Sequence, residues 1–145
     1  MMRVVVDTNV LVSAYLNEDG APFAVIRLCL AGCVRMCASR PILDEYRELL
    51  GRKSLPLDRR RATLFLKAIK GACTLFSPQP GLPAELKLID PDDAMFLECA
   101  EAAKAAYLIT GNTKHFPPKW KVTQRITPAA FLGVWQQWHQ QSRGD

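Results

Sequence analysis

The chain has 145 residues, of which 49% are hydrophobic and 23% charged, a composition typical of one soluble globular domain. No apolar run approaches the roughly 20 residues that a membrane-spanning helix needs. The N-terminus lacks the layout of a signal peptide, because Asp7 and Asn9 interrupt its apolar residues. We therefore expect a cytoplasmic protein with no membrane segment.

The net charge of +5 is modestly basic, and most of the excess lies in two groups. Such groups can follow a phosphate backbone or form a solvated helix face, and each group taken alone favours the solvated face. The groups are Arg52, Lys53, Arg59, Arg60 and Arg61, and then Lys114, Lys119, Lys121 and Arg125.

The N-terminal segment places an acid directly after an apolar strand. Val4, Val5 and Val6 are three β-branched residues in succession, which is typical of a strand buried on both faces of a parallel sheet. Asp7 follows at the carboxyl end of this strand, where open α/β proteins build their sites. A carboxylate in such surroundings is costly unless a cation or a hydrogen-bond network stabilises it. Asp7 is therefore the first candidate functional residue.

Strand and helix patterns alternate along the rest of the chain. Strands are predicted at residues 4–6, 33–38, 73–76, 106–110 and 122–124. Helices are predicted at residues 8–16, 22–31, 40–50, 58–70 and 91–104 and from residue 128 onwards. Ser39 and Asp90 are expected as N-caps, with Pro91 at the first helical position. This order predicts one α/β domain over residues 1–139, with a mainly parallel sheet, helices on both faces and a polar tail at residues 140–145.

The five cysteines are an odd set in apolar surroundings, which indicates mostly buried, reduced thiols. Cys29, Cys33 and Cys37 are spaced four residues apart, a spacing that suggests zinc. However, Gly32 is expected to end a helix between them, and the chain has no Cys-x-x-Cys pair. Zinc is therefore disfavoured.

Polar side chains follow several of the predicted strands. Because the carboxyl ends of parallel strands meet at one edge of a sheet, we expect these segments to lie near one another. A cluster of carboxylates repels itself unless a divalent cation is bound, and oxygen ligands without a histidine pair suit Mg²⁺ or Mn²⁺. The segments are Asp7-Thr8-Asn9, Asp44-Glu45, Asp90-Pro91-Asp92-Asp93 and Thr110-Gly111-Asn112.

The sequence lacks the residues that several other classes of catalysis require. His115 and His139 are the only histidines, so serine–histidine catalysis has little support, and no glycine-rich phosphate loop is present. A haloacid-dehalogenase phosphatase needs a second acid two residues after Asp7, where this chain has Asn9. A receiver domain would need an acceptor aspartate after a central strand, and we expect none there.

In this order and with these gaps, the polar segments resemble the PIN-domain nucleases, over residues 2 to about 133. More narrowly, the chain is similar to the VapC-related branch, the toxin components of toxin–antitoxin pairs. The resemblance is carried by Asp7-Thr8-Asn9-Val10-Leu11-Val12-Ser13, Ile42-Leu43-Asp44-Glu45-Tyr46, Asp90-Pro91-Asp92-Asp93-Ala94-Met95-Phe96-Leu97 and Tyr107-Leu108-Ile109-Thr110-Gly111-Asn112.

The resemblance implies a PIN-like three-layer α/β/α fold with a central, mainly parallel five-stranded sheet. It also implies a Mg²⁺- or Mn²⁺-dependent endoribonuclease that acts on RNA, forms a homodimer and is held in check by a cognate antitoxin. Matched by position, Asp7, Glu45 and Asp93 correspond to the three acids of the metal site. The polar residues that support the first acid correspond to Thr8 and Asn9, with Ser13 later in the same motif.

The fourth acid of the family follows Thr-Gly after strand four, and here that position is Asn112. This departure weakens a second metal site, although an amide can still bind a metal through its carbonyl oxygen or through a water. Thr110 either orients a carboxylate or closes its strand. The candidate RNA-binding residues are Lys114, His115, Arg59 and Arg60.

Each candidate has a structural alternative that the sequence leaves open. The competing function is a non-catalytic PIN-like module that binds RNA or a protein through a degenerate metal site. The structural alternatives are a helix cap for Asp7, an ion pair with Arg47 or Arg40 for Glu45, a capping-box role for Asp93 with Asp92 as its rival, and a turn for Asn112.

Overall fold

Six strands form one sheet in the computed structural model, which describes residues 1–52, 58–79 and 89–144. Within these residues the strands are β1 (Arg3–Val6), β2 (Arg35–Ala38), β3 (Cys73–Leu75), β4 (Tyr107–Ile109), β5 (Lys119–Trp120) and β6 (Thr123–Ile126). The helices are α1 (Thr8–Leu16), α2 (Ala21–Leu30), α3 (Arg40–Leu50), α4 (Arg59–Ala72), α5 (Pro91–Ala103) and α6 (Pro128–Gly144), and a 3₁₀ turn covers Thr113–His115.

The sheet has the strand order β3-β2-β1-β4-β6-β5, and every pairing is parallel except that of β5 with β6. From β1 the chain adds β2 and β3 on one side and then crosses to place β4 on the other. The direction of winding therefore reverses between β1 and β4. Open α/β sheets bind their ligands outside the carboxyl ends of the strands at such a point.

The valines of β1 show that helices cover both faces of the sheet. Val4, Val5 and Val6 are each 0% exposed, and successive side chains of a strand point to opposite faces. A strand that is buried on both faces needs a layer of helices on each side, which confirms the three-layer α/β/α prediction. On one of these faces α5 packs against β1, β2 and β4 and carries the segment that begins at Asp90.

Two helix starts differ in how they are capped. The side chain of Asp90 accepts a hydrogen bond from the backbone N–H of Asp92 (2.9 Å), so Asp90 caps α5 as predicted. Ser39 occupies the N-cap position of α3, but its hydroxyl accepts no capping hydrogen bond. The prediction for Ser39 is therefore correct in position and wrong in mechanism.

The sheet has six strands where the sequence predicts five. The additional strand, β5, is only two residues long, and it pairs Lys119 with Gln124 and Trp120 with Thr123. Lys121 turns the chain with φ 53°, a left-handed conformation that glycine or asparagine usually marks in a sequence. Without that signal the hairpin could not be recognised.

Other differences lie at the edges of predicted segments. Helix α6 continues to Gly144, so it includes most of the segment 140–145 that the sequence assigns to a polar tail. The sequence also predicts a linker that contains Ser54 and Pro56 and a proline-rich loop at residues 77–83. The linker and residues 80–83 of the loop lie outside the described residues. All five cysteines are free thiols, and Cys29, Cys37 and Cys99 are buried.

Candidate metal centre

The centre lies at the carboxyl ends of β1 and β4, where the winding of the sheet reverses. Val6 pairs with Ile109, so Asp7 and Thr110 are the next residues on neighbouring parallel strands. The register also brings the backbone N–H of Asp7 to the carbonyl of Ile109 at 2.9 Å. The parallel register therefore fixes the distance between two residues that are far apart in sequence.

Asp7 is a buried acid, with only 8% of its surface exposed. Although it occupies the N-cap position of α1, its side chain accepts no capping hydrogen bond from that helix. Instead Oδ2 accepts a 2.7 Å hydrogen bond from Thr110 Oγ1. Burial raises the pKa of Asp7, the hydrogen bond from Thr110 opposes that rise, and the charge of Asp93 adds to it. A side-chain cap of α1 is therefore not the role of Asp7, and its role as a metal ligand stays a prediction.

Glu45 projects from α3 toward the start of α1. Its Oε2 accepts a 2.6 Å hydrogen bond from Thr8 Oγ1, and Thr8 is itself buried. Burial raises the pKa of Glu45, the bond from Thr8 lowers it, and the charge of Asp7 raises it. Arg47, which the sequence offers as an ion-pair partner, pairs with Asp44 instead, at 3.2 Å.

The acids at the start of α5 have separate surroundings. Asp90 caps the helix and Asp92 is exposed, whereas the Asp93 side chain is 23% exposed and lies 3.3 Å from the imidazole of His115 (Oδ2 to Nδ1). Burial raises the pKa of Asp93, and the nearby His115 lowers it. Of Asp92 and Asp93, the two candidate ligands on α5, it is Asp93 whose side chain points inward.

A chain of hydrogen bonds joins Asp7 to Asp93 through the loop after β4. Thr110 Oγ1, which donates to Asp7, accepts from the backbone N–H of Asn112 at 2.9 Å. The side-chain amide of Asn112 lies 3.1 Å from Nε2 of His115, whose Nδ1 faces Asp93. With the amide nitrogen as donor, Nε2 is the acceptor and Nδ1 carries the proton that is donated to Asp93. The loop thus bridges two candidate ligands.

Asn9 and Ser13 lie beside the loop after β4. The carbonyl oxygen of the Asn9 side chain accepts from the backbone N–H of Gly111 at 3.3 Å, so Asn9 supports the loop after β4. Ser13 lines a shallow cleft of about 290 Å³ together with Asn9, Gly111 and Asn112. Asn9 is therefore bonded to this loop, and Ser13 shares a cleft with it.

The candidate RNA-binding residues are divided between two places. Lys114 is exposed in the same 3₁₀ turn as His115, at the rim of the centre. Arg59 and Arg60 begin α4, whose start contacts the far end of α1, where Tyr15 Oη donates to the carbonyl of Asp58 at 3.3 Å. Eight residues of helix separate Tyr15 from Asp7, a distance of roughly 12 Å. The two arginines therefore lie away from the acids.

The donor set fits a hard divalent cation by its chemistry, because carboxylate oxygens and an amide are the ligands that Mg²⁺ and Mn²⁺ prefer. The charge of Asp93 raises the pKa of Asp7, and the charges of Asp7, Asp92 and Asp93 raise that of Glu45. Within residues 1–52, 58–79 and 89–144, however, no three acidic, histidine or cysteine side chains converge closely enough to hold one ion as they stand. A shared cation requires these side chains to turn toward one another.

Comparison with known protein families identifies the family of this chain. A family model described as a PIN domain matches residues 3–114, which is most of the chain. The protein therefore belongs to the PIN domain family, and the family prediction is confirmed.

One solved structure extends the comparison. A chain of the crystal structure of VapBC2 from Rickettsia felis, bound to a DNA fragment from their promoter, superposes with a TM-score of 0.63 at 18% identity. The match covers 87% of this chain and 98% of that chain, so the two share a fold. No curated protein sequence matches significantly. Among the described residues, no helix combines the length and hydropathy that a membrane crossing demands.

Proposed function

We propose that the protein is a Mg²⁺- or Mn²⁺-dependent ribonuclease that hydrolyses phosphodiester bonds in RNA. The observation that carries this proposal is the buried carboxylate of Asp7 at the reversal point of the sheet, with Glu45 and Asp93 electrostatically coupled to it. Neighbouring acids with raised pKa values destabilise the folded protein when they are ionised, unless a bound cation compensates their charge. Membership of the PIN family supports the same assignment.

In this mechanism the metal ligands are Asp7, Glu45 and Asp93. When bound, a divalent cation supplies a water of lowered pKa and charge compensation for in-line attack on a phosphodiester. Thr110 and Thr8 hold the carboxylates of Asp7 and Glu45 by short hydrogen bonds, which favour the ionised forms that a cation needs.

The loop after β4 supplies the remaining groups of the proposed site. Asn112 and His115 stand beside Asp93, where the imidazole N–H orients that carboxylate and the amide is suited to a phosphate oxygen. Lys114, at the rim, adds a cation that attracts the RNA backbone. Arg59 and Arg60 lie farther away, so their proposed contribution is long-range steering.

Cleavage of labelled single-stranded RNA tests the proposal. The purified protein should cleave with Mn²⁺ and lose that activity in EDTA and as Asp7→Asn. The matched control is Asp92→Asn, which removes an exposed acid next to Asp93 and should retain cleavage. Equal cleavage by all of these samples would show that the activity comes from another source.

We further propose that the protein is the toxin of a toxin–antitoxin pair and works as a homodimer. The fold shared with a chain of the VapBC2 structure supports the toxin role, and the homodimer rests on the resemblance to the family. Its expression in a bacterial host should arrest growth, whereas Asp7→Asn should not. Co-expression of the product of the adjacent gene should restore growth, and light scattering should give twice the mass of 16.2 kDa.

The second candidate is a non-catalytic module that binds RNA or a protein. Two observations favour it: Asn112 replaces an acid of the family pattern, and no three described metal-binding side chains converge on one point. Calorimetric titration with Mn²⁺ discriminates the two. Absence of metal binding, together with RNA binding that survives in Asp7→Asn, would favour the module over the nuclease.

A further inference from the structure

We propose that Arg125 is a positioning residue for the candidate metal centre. Its guanidinium holds the 3₁₀ turn Thr113–His115 in place from outside the centre, and through that turn it keeps Asn112 and His115 against Asp93. The proposal rests on the proposed function of the centre, because a nuclease site is what the turn would serve.

Arg125 makes its contacts with the two ends of the turn. Nη1 donates to the carbonyl of Thr113 at 2.8 Å and to the carbonyl of Phe116 at 2.6 Å. Both are charge-assisted hydrogen bonds, the stronger class in proteins. A single nitrogen therefore closes the turn by joining the carbonyls on either side of Lys114 and His115.

The backbone of Arg125 belongs to the sheet. Arg125 is half-buried on β6, where it pairs with Leu108 of β4, the strand that leads into the loop. Its backbone N–H also donates to the carbonyl of Pro118 at 3.1 Å. The sheet thus fixes the backbone of Arg125, and the hydrogen bonds of its side chain fix the loop relative to the sheet.

A second contact fixes the far end of the turn to α5. The buried ring of Phe116 meets Phe96 edge to face, with 6.3 Å between ring centroids. Phe96 and Asp93 lie three residues apart on the same helix, so they are neighbours on its surface. Arg125 and Phe116 together therefore set the position of the turn relative to Asp93.

The competing role for Arg125 is steering of the RNA backbone, since the sequence places it in a basic group with Lys114, Lys119 and Lys121. A steering residue acts through its charge and leaves the turn unchanged. A positioning residue acts through the two carbonyls, and its loss changes the turn even without metal or RNA. The two roles therefore predict different results for variants of the same charge.

Three variants separate these roles. Arg125→Met removes charge and donors while keeping the aliphatic length. Arg125→Lys keeps the positive charge. It also keeps a single nitrogen with several N–H groups, and the two carbonyls accept from one such nitrogen in the wild type. Lys119→Met, on the same hairpin, removes an exposed charge and is the matched control. Circular dichroism establishes that each variant is folded.

Amide hydrogen exchange in EDTA is the first measurement. The N–H groups of His115 and Phe116 donate to Asn112 and Thr113 carbonyls within the turn, so their protection reports its stability. We expect exchange about tenfold faster in Arg125→Met, with Arg125→Lys closer to wild type and Lys119→Met unchanged. Equal rates in all four proteins would overturn the proposal. This result does not depend on nuclease activity, so it stands apart from failure of the proposed function.

RNA cleavage is the second measurement. Positioning predicts that Arg125→Met lowers kcat about tenfold with little change in KM, and that Arg125→Lys recovers part of the loss. Steering predicts a raised KM of similar size in Arg125→Met and Lys119→Met, with unchanged kcat and a smaller salt dependence. The steering pattern would overturn the proposal. If Arg125→Met fails to fold, the comparison of Arg125→Lys with Lys119→Met distinguishes positioning from steering by the same two measurements.

Discussion

Thr110 donates its hydroxyl proton to Asp7 across 103 positions of sequence, in a buried hydrogen bond of 2.7 Å. The same oxygen accepts from the backbone N–H of Asn112 at 2.9 Å, so one hydroxyl connects the first acid to the loop after β4. A hydroxyl has one proton to donate, and here the carboxylate receives it. The bond stabilises the ionised form of an acid that burial otherwise disfavours.

We predict that Thr110→Val weakens Mn²⁺ binding by about 10- to 100-fold, the usual cost of losing a group that orients a metal ligand. The change keeps the shape of the side chain and removes both hydrogen bonds. Thr123→Val is the matched control, because Thr123 is also buried and donates at 2.6 Å, but to the carbonyl of Ala105. Both variants should lose about 1–3 kcal/mol of stability. Calorimetric titration with Mn²⁺ should show a loss only in Thr110→Val.

We predict that Asp7→Asn stabilises the metal-free protein at neutral pH. Asparagine has the shape of aspartate without the charge that burial and Asp93 disfavour, and its carbonyl can still accept from Thr110. The expected rise in the midpoint of thermal unfolding is about 2–4 °C, which corresponds to roughly 1 kcal/mol in a domain of this size.

Bound Mn²⁺ should make the wild type more stable than Asp7→Asn. Differential scanning fluorimetry measures the unfolding midpoint of each protein with and without the metal. Added Mn²⁺ should raise the midpoint of the wild type and leave that of Asp7→Asn unchanged, because a ligand stabilises only a native state that binds it. A metal-free variant less stable than wild type would mean that the Asp7 carboxylate contributes to the fold.

The sequence predicts the parallel strands and the first acid well, because both are local patterns. Val4–Val6 followed by Asp7 is a buried strand that ends on a carboxylate, and the structure has that arrangement. The bond between Thr8 and Glu45 spans 37 positions and depends on how α3 packs against α1. No local pattern contains that information, and the resemblance to a family predicted Glu45 at the metal site but assigned Thr8 to the support of Asp7.

The contacts of the loop after β4 could not be predicted from the sequence. His115 lies in a short turn whose direction depends on Arg125 and Phe116, which follow it in the chain. In the sequence Arg125 is one of several basic residues, since charge patterns do not show when a guanidinium bonds to main-chain carbonyls. A His three residues after Asn112 was the available signal, because a 3₁₀ turn aligns side chains at that spacing.

We predict that the stability of the metal-free protein decreases as the pH rises above about 4 and passes through the raised pKa values of its buried acids. The pKa values of Asp7, Glu45 and Asp93 are raised above their ordinary values of 3.8, 4.5 and 3.8. Between the ordinary and the raised value, the folded protein binds more protons than the unfolded chain. The free energy of unfolding therefore falls as pH rises through that window.

Urea unfolding in EDTA across this pH range measures the decrease. Asp7→Asn should show a shallower decline, because it lacks the most buried of the three acids. Saturating Mn²⁺ should reverse the trend in the wild type, since a cation binds the ionised carboxylates. Identical slopes for wild type and Asp7→Asn would show that the Asp7 carboxyl does not titrate differently in the folded state.

We predict that Glu45→Gln strongly lowers metal-dependent cleavage, whereas Asp44→Asn leaves it unchanged. The two acids are neighbours on α3 with opposite surroundings: Glu45 faces Thr8 and the centre, and Asp44 pairs with Arg47 in solvent. An exposed ion pair of this kind contributes about 0–1 kcal/mol, so its loss should affect neither fold nor activity. Losing a ligand should lower cleavage at least about 100-fold and Mn²⁺ affinity with it. Initial cleavage rates and Mn²⁺ titrations of the two variants measure both effects, and similar losses in the two would mean that α3 as a whole, and not the Glu45 carboxylate, is required.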